Sequence, residues 1–397
     1  MTRVPRPCAF ALAAALAASA ASGTATAQGI VALAGDGDEL VALDGGTLAV
    51  QGRRRLPTRI AIPPILLADQ DAALVVAPDG RIERTAVPGL AVTAETRLRS
   101  RPTGAAASAD GRYLLVAADA PSALIVLDAR TLALLKEHPA RDETRETRID
   151  GLAVAGPRAS FLATMTEVPE AWEISYSDSP PYRGWVHDHR DDGPPEQRPR
   201  FPLRRIPLKD VLTGAFLDAS ADHLVAAAAA DGRGAVLDLY IGRQVATIDL
   251  PGRWAWRASA PWADDRGATM ATPSAAAPVL AITDMRRWTV TRHIAIAAPA
   301  ALLASHPSPG PVWIAGFAPP LADAVQLLDT RDVAVGPPFR PRQGSAVAAL
   351  AIDRAGTHAI VALGGPDGGV LLLDRKSAAE RAARPLRGIV AMAAPGP

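Results

Sequence analysis

Cysteine is nearly absent from this 397-residue chain, occurring once, at Cys8. That residue falls inside an N-terminal segment with the marks of an export signal. Arg3 and Arg6 supply positive charge, Cys8 to Ala18 form a short apolar run, and Ala25-Thr26-Ala27 gives the small-x-small pattern of a cleavage site before Gln28. The mature chain is then expected to carry no thiol. This excludes disulfides, thiolate metal sites, iron–sulfur clusters, cysteine nucleophiles and covalent c-type haem. Without cross-links, stability must come from a core, and about 370 mature residues are ample for one.

Long apolar runs are missing too. The stretch after Arg6 is too short and too rich in alanine for a membrane span of roughly 20 apolar residues. Charge of one sign is also lacking: Lys plus Arg number 42 against 41 for Asp plus Glu. Neither a nucleic acid nor an anionic membrane is indicated as a partner. The bias toward Arg over Lys, with abundant Ala and Pro, reads as GC-rich bacterial coding. Export without an anchor then implies the periplasm, and the chain is read as a monomer.

What is present is a repeat. A branched apolar run ending in Asp recurs as Leu40–Asp44, Ile125–Asp128, Ala235–Asp238, Leu280–Asp284, Gln326–Asp329 and Leu371–Asp374. The last four Asp residues are spaced 284 − 238 = 46, 329 − 284 = 45 and 374 − 329 = 45. A shortened unit, Ala77-Pro78-Asp79-Gly80-Arg81-Ile82, and a substituted one, Trp172-Glu173-Ile174-Ser175-Tyr176, bring the number to eight. Upstream of the Asp runs lie turn-plus-strand markers, clearest in Ala109-Asp110-Gly111-Arg112-Tyr113, where Asp-Gly tolerates positive φ. Four short strands per 45 residues is the pattern of a β-propeller blade, and radial closure removes the exposed edges of an open sheet. The chain is therefore expected to be all-β: one eight-bladed propeller over residues 28–397, with four short antiparallel strands per blade. Residues 177–199 are read as a loop insertion containing His187 and His189.

Beyond the periodicity, the segment Arg101–Asp128 resembles bacterial propeller repeats of surface-layer and cytochrome d1-type proteins. Val168-Pro169-Glu170-Ala171-Trp172-Glu173-Ile174-Ser175-Tyr176, followed by Tyr182, Gly184 and Val186-His187-Asp188, is similar to the matching stretch of the cytochrome d1 haem domain family. Phe216–Ser220 and Leu303–Pro307 continue the similarity in order. The branch it resembles is that of stand-alone periplasmic propellers tied to haem d1 formation in denitrifying bacteria. The resemblance implies binding or hand-over of haem d1, or a late precursor, at the central face, in the maturation of nitrite reductase and without redox catalysis by the chain itself. The alternative is a propeller that has lost its ligand and serves as a protein-interaction scaffold.

A tetrapyrrole site calls for an imidazole on iron and for arginines on the carboxylate side chains of the macrocycle. Family members carry a His where the innermost strand of an early blade begins. The corresponding positions here, Arg59-Ile60-Ala61-Ile62-Pro63 and Arg101-Pro102-Thr103-Gly104, contain none. By the resemblance, His306 is placed near the distal side of the pocket, and Trp172 and His187 belong to the similar stretch. Arg253 and Arg257 alternate with Trp254 and Trp256 at period two, which suits either a flat carboxylated ligand or packing between blades. His223, two residues after a turn, is a further candidate contact and equally a half-exposed strand position. No nucleophile elbow is present, and Gly364–Gly369 reads as a hairpin turn with no helix behind it to receive phosphate.

Overall fold

A computed structural model describes residues 29–394, apart from 61, 68–70, 142–144, 179–199 and 265–266. Its strands, β1–β32 in chain order, form eight four-stranded antiparallel sheets, and helix among the described residues is limited to single 3₁₀ turns such as Trp256–Ala258. Blades II to VIII each take four consecutive strands. Blade I joins β1 (Gly29–Ala34), β2 (Glu39–Asp44) and β3 (Val50–Arg55) to the last strand, β32 (Ala391–Ala393), through the pairing Val31↔Ala393 to Leu33↔Ala391. The two ends of the chain thus close the ring within one sheet.

In each of blades II to VIII the first strand is innermost. These are β4 (Ile65–Leu66), β8 (Arg101–Ala107), β12 (Ile149–Ala155), β16 (Leu212–Leu217), β20 (Ala260–Asp264), β24 (Leu302–Ala304) and β28 (Val347–Ile352). Neighbouring inner strands touch, β8 with β12, β12 with β16, β24 with β28 and β28 with β32, and they surround the central channel. The second and third strands are buried, and apolar clusters between adjacent blades make the core, as where Leu115 and Val126 of blade III meet Phe161 and Trp172 of blade IV. Fourth strands alternate exposed and half-exposed residues, as in Val50–Arg55.

The repeated Asp has a local cause. It ends the third strand, and its Oδ1 accepts the N–H groups two and three residues on: Arg130 and Thr131 for Asp128, at 3.0 and 2.8 Å, and Tyr240 and Ile241 for Asp238, at 2.8 and 3.0 Å. Four residues after the Asp the backbone turns left-handed, at Leu48, Leu132, Gly242, Trp288, Val333 and Ala378. Asp44 pairs with Ala49 and Asp238 with Arg243, so the connection is a four-residue hairpin loop whose last residue is left-handed. Blade II corrects the sequence reading. Its third strand, β6 (Arg81–Ala86), has full length, and Ala86 stands where the Asp belongs, with the same backbone bond from Leu90 N–H to Ala86 O. The sequence motif Ala77–Ile82 marks instead the turn that precedes this strand.

Chain direction assigns every connection to one of two faces. Links from a fourth strand to the next inner strand share a face with links between second and third strands, and backbone bonds such as Thr166 N–H to Arg148 O and Ala229 N–H to Val211 O join them. This is the entry face. The remaining links form the opposite face.

Candidate functional site

At their entry-face ends, four inner strands slip register against their partners, skipping Thr103, Asp150, Gly214 with Ala215, and Ala348. A bulge of this kind leaves residues unpaired and re-aims them. In β12 the released residue is Asp150, the first acid in a strand otherwise made of Ile, Gly, Leu, Ala and Val. Its Oδ2 accepts the N–H of Gly214 on the next blade at 3.0 Å. Gly214 sits at φ +66°, a conformation that glycine adopts without strain.

The same carboxylate receives Arg257, which comes from two blades away. Arg257 lies in the link between β19 (Arg243–Ile248) of blade V and β20 of blade VI, and reaches over β16 to blade IV. Its Nη2 donates to Asp150 O at 3.2 Å and to Asp150 Oδ2 at 3.3 Å. The side chain is nonetheless 61% exposed, and its other N–H groups have no partner among the described residues. The guanidinium is therefore tethered by one nitrogen at the mouth of the channel and presents the rest to solvent.

The tether depends on how its loop is anchored. Trp256 is fully buried among Val225, Val236, Ile248, Leu250 and Met270. Its indole N–H donates to Gly232 O at 3.4 Å, and its ring covers Gly234, where a Cβ would lie 2.4 Å from Cη2. The alternation of exposure that the sequence implied is present, with Arg253 and Arg257 out, Trp254 half-buried and Trp256 in. It runs through a loop ending in a 3₁₀ turn, because this segment links blades and has no neighbouring strand for a full ladder. Arg253 stands farther from the axis, its carbonyl accepting Ala275 N–H of blade VI and its exposed guanidinium without a partner among the described residues. Arg101, also exposed, opens the inner strand of blade III on the same face.

The link before β12 is fixed by Glu167, which lies on the second-to-third-strand connection of blade IV. Its carboxylate accepts the Arg148 N–H at 2.7 Å, Arg148 Nε at 2.9 Å, Thr147 Oγ1 at 3.0 Å and the hydroxyl of Thr166. Partial burial opposes its ionisation, but these donors outweigh burial and bring its pKa down to about 2.

The other sequence candidates fall elsewhere. His306 follows β24 on the opposite face, where both ring nitrogens are engaged: Nδ1 accepts the Ser308 N–H at 2.9 Å, and Nε2 lies 3.2 Å from Arg354 O. His223 opens β17 (His223–Ala228) on that face too, with Nδ1 2.9 Å from Asp218 Oδ2 and its ring 5.1 Å from that of Trp288. Trp172 is closed off in β14 (Glu170–Ser175), its N–H on Glu170 Oε2 at 2.7 Å and Arg205 over its ring. His187 and His189 lie outside the described residues. The structure thus gathers Arg253 and Arg257 on the entry face, sets His306 and His223 on the other, and adds Asp150, Gly151, Gly214 and Arg101. Asp150 carried one sequence signal, a lone acid opening an apolar strand. Its pairing with a residue 107 positions away had none.

As a test of fit for a haem-type ligand, the entry face offers cationic groups suited to carboxylates. None of the five histidines among the described residues lies on the inner strand of a blade. No group of three or more His, Cys, Asp and Glu that could hold a metal occurs among the described residues. The donor set here fits the periphery of a macrocycle and not its iron.

Comparison with known proteins agrees with the fold. Residues 28–389 match the model of the Cytochrome D1 heme domain family. Dihydro-heme d1 dehydrogenase of Pseudomonas aeruginosa is 26% identical over 329 residues, covering 82% of this chain and 63% of that protein, so the chain spans less than two thirds of its relative's length. A solved structure of dihydro-heme d1 dehydrogenase NirN in complex with DHE superposes with a TM-score of 0.81 at 23% identity, over 93% of this chain and 75% of that one. Sqt1 of Saccharomyces cerevisiae gives 0.62 at 11% identity, over 83% and 86%. At such identities these structures speak for the propeller alone, whereas the family match takes in nearly the whole sequence: the chain belongs to the cytochrome d1 haem domain family.

Proposed function

We propose that this protein binds haem d1, or a tetrapyrrole on the way to it, across the channel mouth on the entry face, and that it serves in an extracytoplasmic step of nitrite reductase maturation. The observation that carries this reading is Arg257, an exposed guanidinium held in place at the mouth, with Arg101 and Arg253 on the same face. Arginine pairs with carboxylates in a fixed fork, which suits a flat ligand with acidic side chains around its edge. When bound, the macrocycle would supply the iron and the conjugated ring. The chain's own residues would grip the periphery, and the small apolar residues of the inner strands would lie beneath it. Hand-over of the ligand, without its oxidation, fits a site whose donors address carboxylates and leave the iron alone. The relative of known structure is named a dehydrogenase, so the two outcomes call for separate measurement.

Purified protein is titrated with haem d1 and followed by absorbance. A saturable Soret shift at micromolar ligand, reduced in Arg257→Ala, is expected. No shift would overturn the proposal in favour of a scaffold without cofactor. Conversion of dihydro-haem d1 to haem d1 by this chain with an added electron acceptor would overturn the hand-over part.

A further inference from the structure

We infer that Gly151 determines the preference of this site for a carboxylate, by leaving open the space in which the Arg257 guanidinium is seated. The inference rests on the tetrapyrrole reading of the entry face. A Cβ at residue 151 would lie 2.9 Å from Arg257 Nη2 and 3.7 Å from its Cζ. The remaining neighbour, Thr164 Oγ1, would be at an ordinary 3.6 Å. That hydroxyl is buried opposite Gly151 in the β12–β13 ladder, where β13 spans Ser160–Met165, and has no hydrogen-bond partner among the described residues.

Three features make the position selective. Gly151 is not in the left-handed region, so alanine adds no backbone strain there. What alanine displaces is the far end of a flexible side chain, which moves at little cost to the fold. The displaced group is a cation that crosses blade V to the mouth, held by one nitrogen on Asp150. A methyl group at 151 therefore lifts Arg257 off its seat and leaves Asp150, now without its counter-charge, at the mouth. Both changes act against an incoming carboxylate and neither against an uncharged ring.

The test uses protoporphyrin IX and its dimethyl ester as probes on the full protein, followed by tryptophan quenching, with wild type, Gly151→Ala, Arg257→Ala and the double variant. Wild type should prefer the acid over the ester by roughly three- to fivefold, the worth of one charge-assisted pair at an exposed site. Gly151→Ala should lose most of that preference while keeping ester affinity and melting temperature, and the double variant should match Arg257→Ala. A Gly151→Ala protein that keeps the wild-type preference overturns the inference, as does a parallel fall for acid and ester, the mark of a merely structural change. An Arg257→Ala protein with unchanged preference overturns it together with the part given to Arg257 in the broader reading, whereas a Gly151→Ala protein that keeps the preference leaves that reading intact. Failure of wild type to bind either probe removes both.

Discussion

Replacing Trp256 with alanine tests whether the arginine loop is built on this one side chain. The indole is fully buried, meets residues of blades V and VI, and lies against Gly234 in β18 (Gly234–Asp238), with no side chain between ring and backbone. Truncating a buried Trp to Ala costs about 3–5 kcal/mol when the surroundings cannot collapse into the space. Here collapse is hindered, because the floor is the backbone of a central strand. With an unfolding entropy of about 2.1 cal/mol/K per residue, a chain of this length loses about 4–6 °C in melting temperature if it melts as one unit. The next residue after Trp256 is Arg257, so the variant should also lose the acid-over-ester preference that Arg257 confers. Differential scanning calorimetry, with the porphyrin titration run below the transition, measures both. A melting temperature within about 1 °C of wild type would refute the packing argument. A normal preference in a destabilised variant would refute the link from anchor to site.

Other outcomes follow from groups near the site or between blades. Glu173 is buried between Arg158 and Arg204, 3.3 and 3.4 Å away, and the two arginines also donate to Leu239 O of blade V at 3.0 and 2.7 Å. Glu173→Gln should lower stability by about 3–5 kcal/mol, because it leaves buried guanidinium charge without its carboxylate, and a loss below about 1 kcal/mol from guanidinium chloride denaturation would contradict this. Gly234→Ala should cost about 1–3 kcal/mol by driving a methyl group into the Trp256 ring, read from the same denaturation curves. Glu167 gives a pH dependence. Its folded pKa of about 2 lies below the ordinary 4.5, so its contribution is complete above pH 4.5 and disappears as pH falls toward 2. Melting temperatures of wild type and Glu167→Gln should therefore differ most at neutral pH and converge across that window; a constant gap would contradict the assignment.

Much of the fold was legible because one chemical need recurs at a fixed interval. An Asp at the end of a third strand caps its turn through two N–H groups, and a residue type tied to backbone geometry repeats wherever the geometry does. Blade II shows the limit of such a marker. Ala86 makes the same turn through backbone bonds alone, so the fold persists where the signal lapses. Ring closure was not legible, since β32 offers three residues, Ala-Met-Ala, with no pattern that points to Val31–Leu33. The site was legible in part. Arg253 and Arg257 stood out by alternation with tryptophan, a local feature. Asp150 and Gly151 acquire their meaning from a bulge and from a loop two blades away, which are products of tertiary register. His306 follows the inner strand β24, and local sequence does not tell which face that end occupies or which atoms its ring will meet.

The central claim is that the ligand lies on the entry face, and a structure of the complex with haem d1 tests it most directly. The macrocycle is expected across the channel mouth, with a carboxylate within hydrogen-bond distance of Arg257 and the ring above β8, β12 and β16. A macrocycle on the opposite face, with iron on His306 or His223, would contradict it.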